Sequence, residues 1–205
     1  IGYITRYSPG SRENGGVYMH AATWALMAAC KRRDVESVGR IWRSISPPLR
    51  CRDAEVYRAE PYVTPGNVDG PLSGTPGKAG WTWYTGSAAW LNRVSLEWVV
   101  GMRPTWEGLL IDPTPFPELG VVSVSRTWRG RTVRVRFDAR DVRLAVGVAM
   151  EPQLSLNGRP FEGRLLRESD IAPGGTAELE LVWPKPETCI RPATLTGAST
   201  KEGLS

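Results

Sequence analysis

The sequence is poor in cysteine and histidine, which limits its redox and metal chemistry. Its three cysteines, Cys30, Cys51 and Cys189, are odd in number and widely spaced. This usage predicts free thiols in a reducing compartment, and therefore a cytoplasmic location. The nearest metal-binding set would be Cys30, Cys51 and His20. No CxxC or HxxxH spacing supports it, so no metal site is expected.

The sequence also lacks a long apolar run. No stretch approaches the roughly 18 to 20 apolar residues that a membrane-spanning helix needs, so no membrane segment is predicted. No charged-then-apolar leader opens the chain, and no signal peptide is visible. The first four residues, Ile1-Gly2-Tyr3-Ile4, read like sequence from within a domain. We therefore expect the chain to be the C-terminal part of a longer protein.

The net charge of +5 comes with a cluster of arginines between residues 126 and 143. Arg134 and Arg136 alternate with Val133, Val135 and Phe137, which predicts the solvent face of a strand. A nucleic-acid surface would need these cations beside aromatic platforms. The alternation favours the solvated face, so no nucleic-acid partner is expected.

The pattern of apolar residues predicts an α+β protein. Helices are expected at about residues 17–33, 35–45 and 86–102, with Asp34 as the N-cap of the second and Pro47-Pro48 ending it. The third is apolar nearly all round, so it belongs inside a larger helical assembly. Residues 46–83 are rich in proline and glycine and predict a functional loop without helices or long strands.

From about residue 108 the pattern changes to short strands. A buried strand is expected at 109–111, a hairpin around Arg129-Gly130, and further strands near 142–149, 153–157 and 177–183. This half predicts an antiparallel β-sandwich. The segment beyond Pro184 lacks periodicity and is expected to be a loose arm.

A candidate anion site opens the third helix at residues 84–90. Thr85 and Gly86 stand where free backbone N–H groups and the positive end of the helix dipole would meet an anion. The alternative is that Thr85 or Ser87 only caps the helix. His20, taken alone, is more readily interpreted as a core or surface residue than as a phosphate ligand.

Five motifs in one order carry a resemblance to a known family. They are Arg12-Glu13-Asn14-Gly15-Gly16 with His20, Glu60-Pro61-Tyr62-Val63, the stretch from Trp81 to Trp90, Gly101-Met102-Arg103-Pro104, and Gly108-Leu109-Leu110-Ile111-Asp112-Pro113. Together they closely resemble the C-terminal part of glycoside hydrolase family 94. This family contains the cellobiose and chitobiose phosphorylases and the related region of cyclic β-1,2-glucan synthases. The resemblance covers about residues 5–137.

The resemblance implies a fold and a domain division. Residues 1–106 would be the last helices and active-site loops of an (α/α)6 catalytic barrel. Residues 107–184 would form a jelly-roll β-sandwich, and 185–205 a tail. The implied partners are the remainder of the barrel and, in the full-length protein, a second copy in a homodimer.

The resemblance also implies a reaction. Family members cleave a β-linked disaccharide or oligosaccharide with inorganic phosphate, inverting the anomeric centre and releasing a sugar 1-phosphate. Phosphate is the co-substrate and nucleophile, so no other cofactor is expected. One carboxylic acid protonates the leaving oxygen. The family's general-acid aspartate lies upstream of the matched region, so no catalytic residue is expected in this chain and the isolated chain is predicted to be inactive.

By resemblance, the phosphate-binding residues are His20, Thr85 and Gly86. The predicted substrate-binding residues are Tyr7, Arg12, Glu13, Glu60, Tyr62 and Trp83. Tyr7 and Arg12 match positions lining the acceptor sugar subsite. Glu13 and Glu60 either hold sugar hydroxyls or brace the loops, and both alternatives stay open. Trp81, Trp83 and Trp90 are compatible with stacking on sugar or with the core, and the core is favoured for Trp90.

One departure from the family pattern bears on the substrate. Many cellobiose and chitobiose members have a glutamine that contacts the donor sugar where this chain has Gly66. The loop around it favours the β-1,2-glucan branch, so the alternative function is the phosphorylase-like domain of a cyclic β-1,2-glucan synthase. A noncatalytic carbohydrate-binding module, using only the β-rich half, is the alternative of another class.

Overall fold

The first half of the molecule is mainly helical. A computed structural model describes residues 2–142, 144–145, 148–149 and 151–184. The helices are α1 (Met19–Lys31), α2 (Val35–Ile45), α3 (Pro47–Arg50), α4 (Ala54–Tyr57) and α5 (Thr85–Val94), with a 3₁₀ turn at Gly2–Arg6 and a π-helical segment at Ser95–Val99.

The predicted pair α1 and α2 is confirmed. The α2 bounds agree with the prediction, and the Asp34 carboxylate accepts a hydrogen bond of 3.0 Å from the Ser37 N–H, as an N-cap should. Arg33, with φ of 56°, turns the chain between the two helices. Leu26 of α1 and Val38 of α2 are fully buried in one core.

The third predicted helix ends earlier than expected. Regular α-helix stops at Val94, and the chain passes through a π-helical segment into a strand that begins at Met102. The Ser95 hydroxyl donates to the Leu91 carbonyl at 2.6 Å, a bond that competes with regular backbone hydrogen bonding. Gly101, with φ of 82°, stops the helix where a side chain would meet the Pro113 nitrogen.

The segment predicted as loop has more structure than expected. Pro47-Pro48 does end α2, but Pro47 also starts α3, because proline suits the first helical turn. Three two-residue strands form a small antiparallel sheet in the order β1 (Val17–Tyr18), β2 (Asn67–Val68) and β3 (Ala79–Gly80). This sheet joins the start of α1 to the glycine-rich loop.

The second half contains the remaining strands. They are β4 (Met102–Pro104), β5 (Leu109–Ile111), β6 (Val121–Trp128), β7 (Arg131–Asp138), β8 (Leu144–Ala145), β9 (Val148–Ala149), β10 (Gln153–Leu156), β11 (Arg159–Pro160), β12 (Leu165–Leu166) and β13 (Thr176–Val182). Short 3₁₀ turns lie at Pro117–Leu119, Ala139–Asp141 and Glu168–Asp170. The prediction for the tail falls on residues 185–205, outside the described residues, and so does Cys189.

The prediction of wholly antiparallel sheets is wrong at one pair. The five-stranded sheet has the order β11-β10-β13-β7-β6, and β13 runs parallel to β7. The other described pairs are antiparallel, including a three-stranded sheet β12-β5-β4. The parallel pair arises because β13 enters the sheet between β7 and β10, a placement that local sequence pattern does not reveal.

The predicted alternation of buried apolar and exposed charged residues on β7 is confirmed. Val133, Val135 and Phe137 are buried, while Arg134 and Arg136 face solvent, and Arg134 forms an ion pair of 2.8 Å with Glu178. The buried valines belong to one apolar cluster that also contains residues of α1, α2 and α5. The molecule is therefore α+β, with a shared core behind both halves. The boundary at residue 106, the barrel and the jelly roll stay predictions.

Candidate functional site

Two helices begin side by side at the predicted phosphate site. His20 is the second residue of α1, and Gly86 is the second residue of α5. A β-carbon added at Gly86 would lie 3.4 Å from His20 Nδ1, so the ring packs directly over the first turn of α5. Backbone N–H groups in a first helical turn lack intrahelical acceptors, and the dipole adds partial positive charge there.

Aromatic rings surround the His20 imidazole. Its ring centre lies 5.0 Å from that of Trp24, 5.9 Å from Tyr18 and 6.0 Å from Trp90. Within the described part of the chain, the buried Nε2 atom has no hydrogen-bond partner. A buried nitrogen without a partner costs free energy unless something else satisfies it. The ring atoms nearest the first turn of α5 are Nδ1 and Cε1, so this edge of the imidazole faces the helix start.

The alternative that Thr85 or Ser87 caps α5 is wrong. Tyr84 occupies the N-cap position, and no side-chain cap bond is present at this described helix start. The Ser87 hydroxyl is fully buried and lies 3.0 to 3.1 Å from the Thr64 hydroxyl, the Pro65 carbonyl and the Tyr84 carbonyl. Ser87 therefore anchors the helix start to the preceding loop, while Thr85 faces solvent.

A cavity of about 330 Å³ lies beside this site. It is lined by Arg12, Glu13, Gly16, Tyr18, Gly66, Asn67, Trp81 and Tyr84. The Arg12 guanidinium carbon lies 4.2 Å from the ring centre of Trp81 and 4.9 Å from that of Tyr7. Cation–π contacts on both sides hold the guanidinium in place. The cavity thus offers a fixed cation, a carboxylate, an amide, two phenols and a flat indole, a set suited to sugar hydroxyls and a pyranose face.

Three bulky residues near these surfaces adopt left-handed backbone conformations. Arg12 has φ of 48°, Trp81 of 55° and Trp83 of 62°. Such conformations cost of order 1 to 3 kcal/mol each and cluster at functional sites. Both tryptophans remain about three-fifths exposed, yet each is held on one side by a partner. Their free aromatic faces are therefore preorganised.

Close backbone approaches hold the loop that carries Arg12. Gly70 donates its N–H to the Gly10 carbonyl at 2.7 Å, and a β-carbon at Gly70 would lie 2.0 Å from the Gly15 carbonyl oxygen. A β-carbon at Gly16 would lie 2.6 Å from the Arg12 nitrogen. A side chain at Gly70 would therefore push the two loops apart, and one at Gly16 would disturb the turn that carries Arg12.

Glu60, Tyr62 and Trp83 form a second cluster. The Trp83 indole N–H donates to Glu60 Oε1 at 3.0 Å, and the Tyr62 and Trp83 rings meet edge to face at 5.9 Å. Hydrogen bonds from its own backbone N–H and from Trp83 lower the pKa of Glu60. Glu60 therefore braces Trp83. Tyr62 and Trp83 line a separate, largely apolar groove of about 530 Å³ that also contains Thr85.

The structure brings together most, not all, of the predicted site residues. Thr85 and Gly86 begin α5, and His20 of α1 packs against this helix start. Arg12 and Glu13 line the 330 Å³ cavity, and Tyr7 contacts Arg12. The cluster of Glu60, Tyr62 and Trp83 lies apart from both. Trp81, which the sequence offered for stacking on sugar or for the core, lines the cavity, while sequence reasoning missed three other lining residues, namely Tyr18, Asn67 and Tyr84. The two tyrosines directly precede the helices that carry His20 and Gly86, which was the available signal.

Other features of the described residues lie away from this site. A larger open groove of about 660 Å³ on the β-rich half contains none of the predicted site residues. Cys30 and Cys51 are free, and burial raises the pKa of Cys30 to about 12, which keeps its thiol neutral. Among the described residues no helix is long and apolar enough to cross a membrane, and no three metal-ligating side chains cluster.

Residues 1–101 match the family described as Glycosyl hydrolase 94 superfamily, catalytic domain. This range contains all of the predicted phosphate-binding and substrate-binding residues. This part of the chain belongs to that family. Relatives extend the similarity into the β-rich half. The cyclic beta-(1,2)-glucan synthase NdvB of Rhizobium meliloti (strain 1021) is 39% identical over 162 residues, covering 76% of this chain and 5% of the synthase.

Two phosphorylases are also similar to this chain. The N,N'-diacetylchitobiose phosphorylase of Vibrio proteolyticus is 28% identical over 165 residues, covering 80% of this chain and 20% of that enzyme. The solabiose phosphorylase of Paenibacillus borealis is 27% identical over 132 residues, covering 64% and 17%. The chain thus spans a fifth or less of the length of these three relatives, and is a phosphorylase-like or glucan-synthase-like segment of the family.

Proposed function

We propose that this chain supplies the phosphate site and part of the sugar subsites of an inverting glycoside phosphorylase. One observation carries the proposal: the uncapped first turn of α5 faces His20, whose buried Nε2 lacks a partner among the described residues. N–H donors, a helix dipole and a histidine together form a suitable environment for a phosphate.

In the proposed reaction, phosphate held at the start of α5 attacks the anomeric carbon of a β-linked sugar from the face opposite the glycosidic oxygen. The glycosidic bond from the anomeric carbon to the leaving oxygen breaks as a phosphate oxygen bonds to that carbon. The products are an inverted sugar 1-phosphate and a shortened glycan. His20 and the N–H groups of Thr85 and Gly86 orient the phosphate oxygens. A carboxylic acid outside this residue set protonates the leaving oxygen.

The sugar subsites follow from the same geometry. Arg12 and Glu13 would bind sugar hydroxyls in the 330 Å³ cavity, with Tyr7 holding Arg12 from behind. Trp83 and Tyr62 would offer aromatic surface in the separate 530 Å³ groove, with Glu60 as the brace of Trp83. We further propose a cytoplasmic location, because Cys30 and Cys51 are free, and a homodimer in the complete protein.

The test uses the complete product of the gene that encodes this chain. It would be assayed with inorganic phosphate and a panel of β-linked glucose and N-acetylglucosamine disaccharides, and the anomer of the released sugar phosphate read by NMR. We expect an inverted sugar 1-phosphate, lost in His20→Ala and retained in Lys31→Ala, which removes a cation from the far end of the same helix. Phosphorolysis that survives His20→Ala would contradict the proposed phosphate site.

A second candidate is the phosphorylase-like domain of a cyclic β-1,2-glucan synthase. The similarity to NdvB and the glycine at position 66 favour it. Under this alternative the complete protein would act on longer β-1,2-glucans and give no product with any disaccharide. The isolated 205-residue chain is expected to bind phosphate without turnover in either case.

A further inference from the structure

Tyr18 and Tyr84 form a hydroxyl pair at the boundary between the anion site and the cavity. Their hydroxyl oxygens are 3.0 Å apart although the residues are 66 positions apart in sequence. Tyr18 directly precedes α1 and Tyr84 directly precedes α5, so the pair bridges the two helices that carry His20 and Gly86. Both side chains line the 330 Å³ cavity, and the Tyr18 ring also contacts His20.

Local folding does not require these hydroxyls. In the described structure neither tyrosine makes a side-chain cap bond to its helix, although both occupy the N-cap position. The Met19 N–H is already satisfied by the Gly66 carbonyl at 3.0 Å. Tyr18 is also half exposed, so burial alone does not explain its choice. A phenylalanine would provide the same rings without the two polar atoms.

The chemistry of the pair fits a sugar hydroxyl. Each phenol has one O–H, and when one donates to the other, the second O–H remains available to a ligand. Either oxygen can be the donor in the bridge, so the pair can present both a donor and an acceptor. The hydrogen bond with Tyr84 raises the pKa of Tyr18, and phenols are in any case protonated at neutral pH. Linked hydroxyls also polarise each other.

We propose that the Tyr18–Tyr84 pair binds a hydroxyl of the sugar in the 330 Å³ cavity, at the end nearest His20. This inference rests on the proposed function, because it takes the cavity to be a sugar subsite beside phosphate. It adds two substrate-contacting residues to Arg12 and Glu13. The pair fixes how deeply the sugar sits relative to the phosphate at the start of α5.

The experiment compares Tyr18→Phe, Tyr84→Phe and the double variant in the complete gene product. Tyr3→Phe is the matched control, because Tyr3 is exposed and lies outside the cavity. KM values for the disaccharide and for phosphate would be measured separately, together with the melting temperature. We expect each single variant to raise the KM for sugar about five- to tenfold, the scale of one lost hydrogen bond, with phosphate KM and melting temperature unchanged.

The double variant separates a pair from two independent contacts. Its loss should be smaller than the product of the single losses, because each hydroxyl orients the other. Unchanged sugar KM in both single variants, with an active wild type, would overturn the pair and leave the proposed function standing. Equal losses in both KM values with a lower melting temperature would indicate a structural role and also overturn it. An inactive wild type would overturn the proposed function itself.

Discussion

Replacing Gly86 by alanine is expected to change protein stability and phosphate binding in opposite directions. A methyl group at this position would lie 3.4 to 3.5 Å from the His20 ring, in the space where an anion would sit. Its backbone is helical, so alanine is allowed there and favours the helix.

We therefore expect Gly86→Ala to stabilise the chain by up to about 1 kcal/mol while weakening phosphate binding about tenfold, or about 1.4 kcal/mol. Thermal unfolding and calorimetric titration with inorganic phosphate measure the two effects on the same sample. Ala88→Gly, two residues further along α5, is the opposite control and should lower stability without changing phosphate affinity. Equal phosphate affinity in Gly86→Ala and wild type would remove this residue from the site.

At single residues the sequence was informative where motifs occur in a recognisable order, and this order is why His20, Gly86 and Arg12 were predicted as site residues. The backbone conformation of Trp81 was not predictable, because a bulky residue with positive φ is disfavoured locally and its contact with Arg12 is tertiary.

At the scale of elements, the N-cap of α2 links stability to pH. The backbone N–H of Ser37 donates to the Asp34 carboxylate and holds the pKa of Asp34 below its usual value. A carboxyl with a depressed folded pKa stabilises the protein above its unfolded pKa, about 4, and loses that contribution as pH falls through the folded value.

Asp34→Ala should therefore lower the melting temperature at pH 7, and the difference from wild type should shrink below pH 4. Differential scanning calorimetry at several pH values tests this. Asp34→Asn keeps an oxygen acceptor without the charge, so its difference from wild type should depend less on pH in that range. If the difference in melting temperature between Asp34→Ala and wild type stays constant from pH 7 to pH 2, the Asp34 carboxylate does not link stability to pH.

The loops at residues 10–16 and 66–80 approach each other closely at Gly70. Gly70→Ala places a methyl group within 2.0 Å of the Gly15 carbonyl oxygen, and backbone on both sides must move. We expect a loss of about 2 kcal/mol in the free energy of unfolding, and weaker sugar binding because Arg12 moves with its loop.

Gly74→Ala in the same loop is the matched control. No described atom lies within 4 Å of the added methyl group, and the Gly74 backbone is not in the left-handed region. Urea unfolding should therefore give nearly the wild-type free energy for this variant. Similar losses in the two variants would mean that loop flexibility, rather than the close approach at Gly70, sets the stability.

Elements were predictable to the extent that their signals are local. The bounds of α2 and β5 follow from a cap, a proline pair and a short apolar run. The strands β1 to β3 have only two residues each and owe their existence to pairing between distant loops. The parallel register of β13 on β7 is likewise a tertiary choice.

At the scale of the whole molecule, one carboxylate joins the helical half to the β-rich half. The Asp112 carboxylate accepts hydrogen bonds from Arg33 at 2.7 Å and from Arg164 at 2.5 Å, and Arg103 lies 3.5 Å away. Arg33 follows α1, and Arg164 precedes β12. Glu151 also pairs with Arg33 and Arg164, so two carboxylates serve three guanidinium groups.

Neutralising Asp112 should therefore weaken the coupling between the halves. Asp112→Asn leaves Arg103 without its carboxylate and leaves Glu151 as the partner of Arg33 and Arg164. We expect a loss of about 2 kcal/mol in the free energy of unfolding, below the value for fully buried pairs. Glu118→Gln, which removes the exposed ion pair with Arg43, should cost under about 1 kcal/mol.

Urea unfolding of the two halves would be followed by separate probes. Far-UV circular dichroism reports on the helices. Fluorescence of Trp128 and Trp183, in a background where the other tryptophans are replaced, reports on the β-rich half. In wild type the shared core should give coincident transitions; in Asp112→Asn they should separate, and coincident curves at unchanged stability would show that the apolar core alone couples the halves.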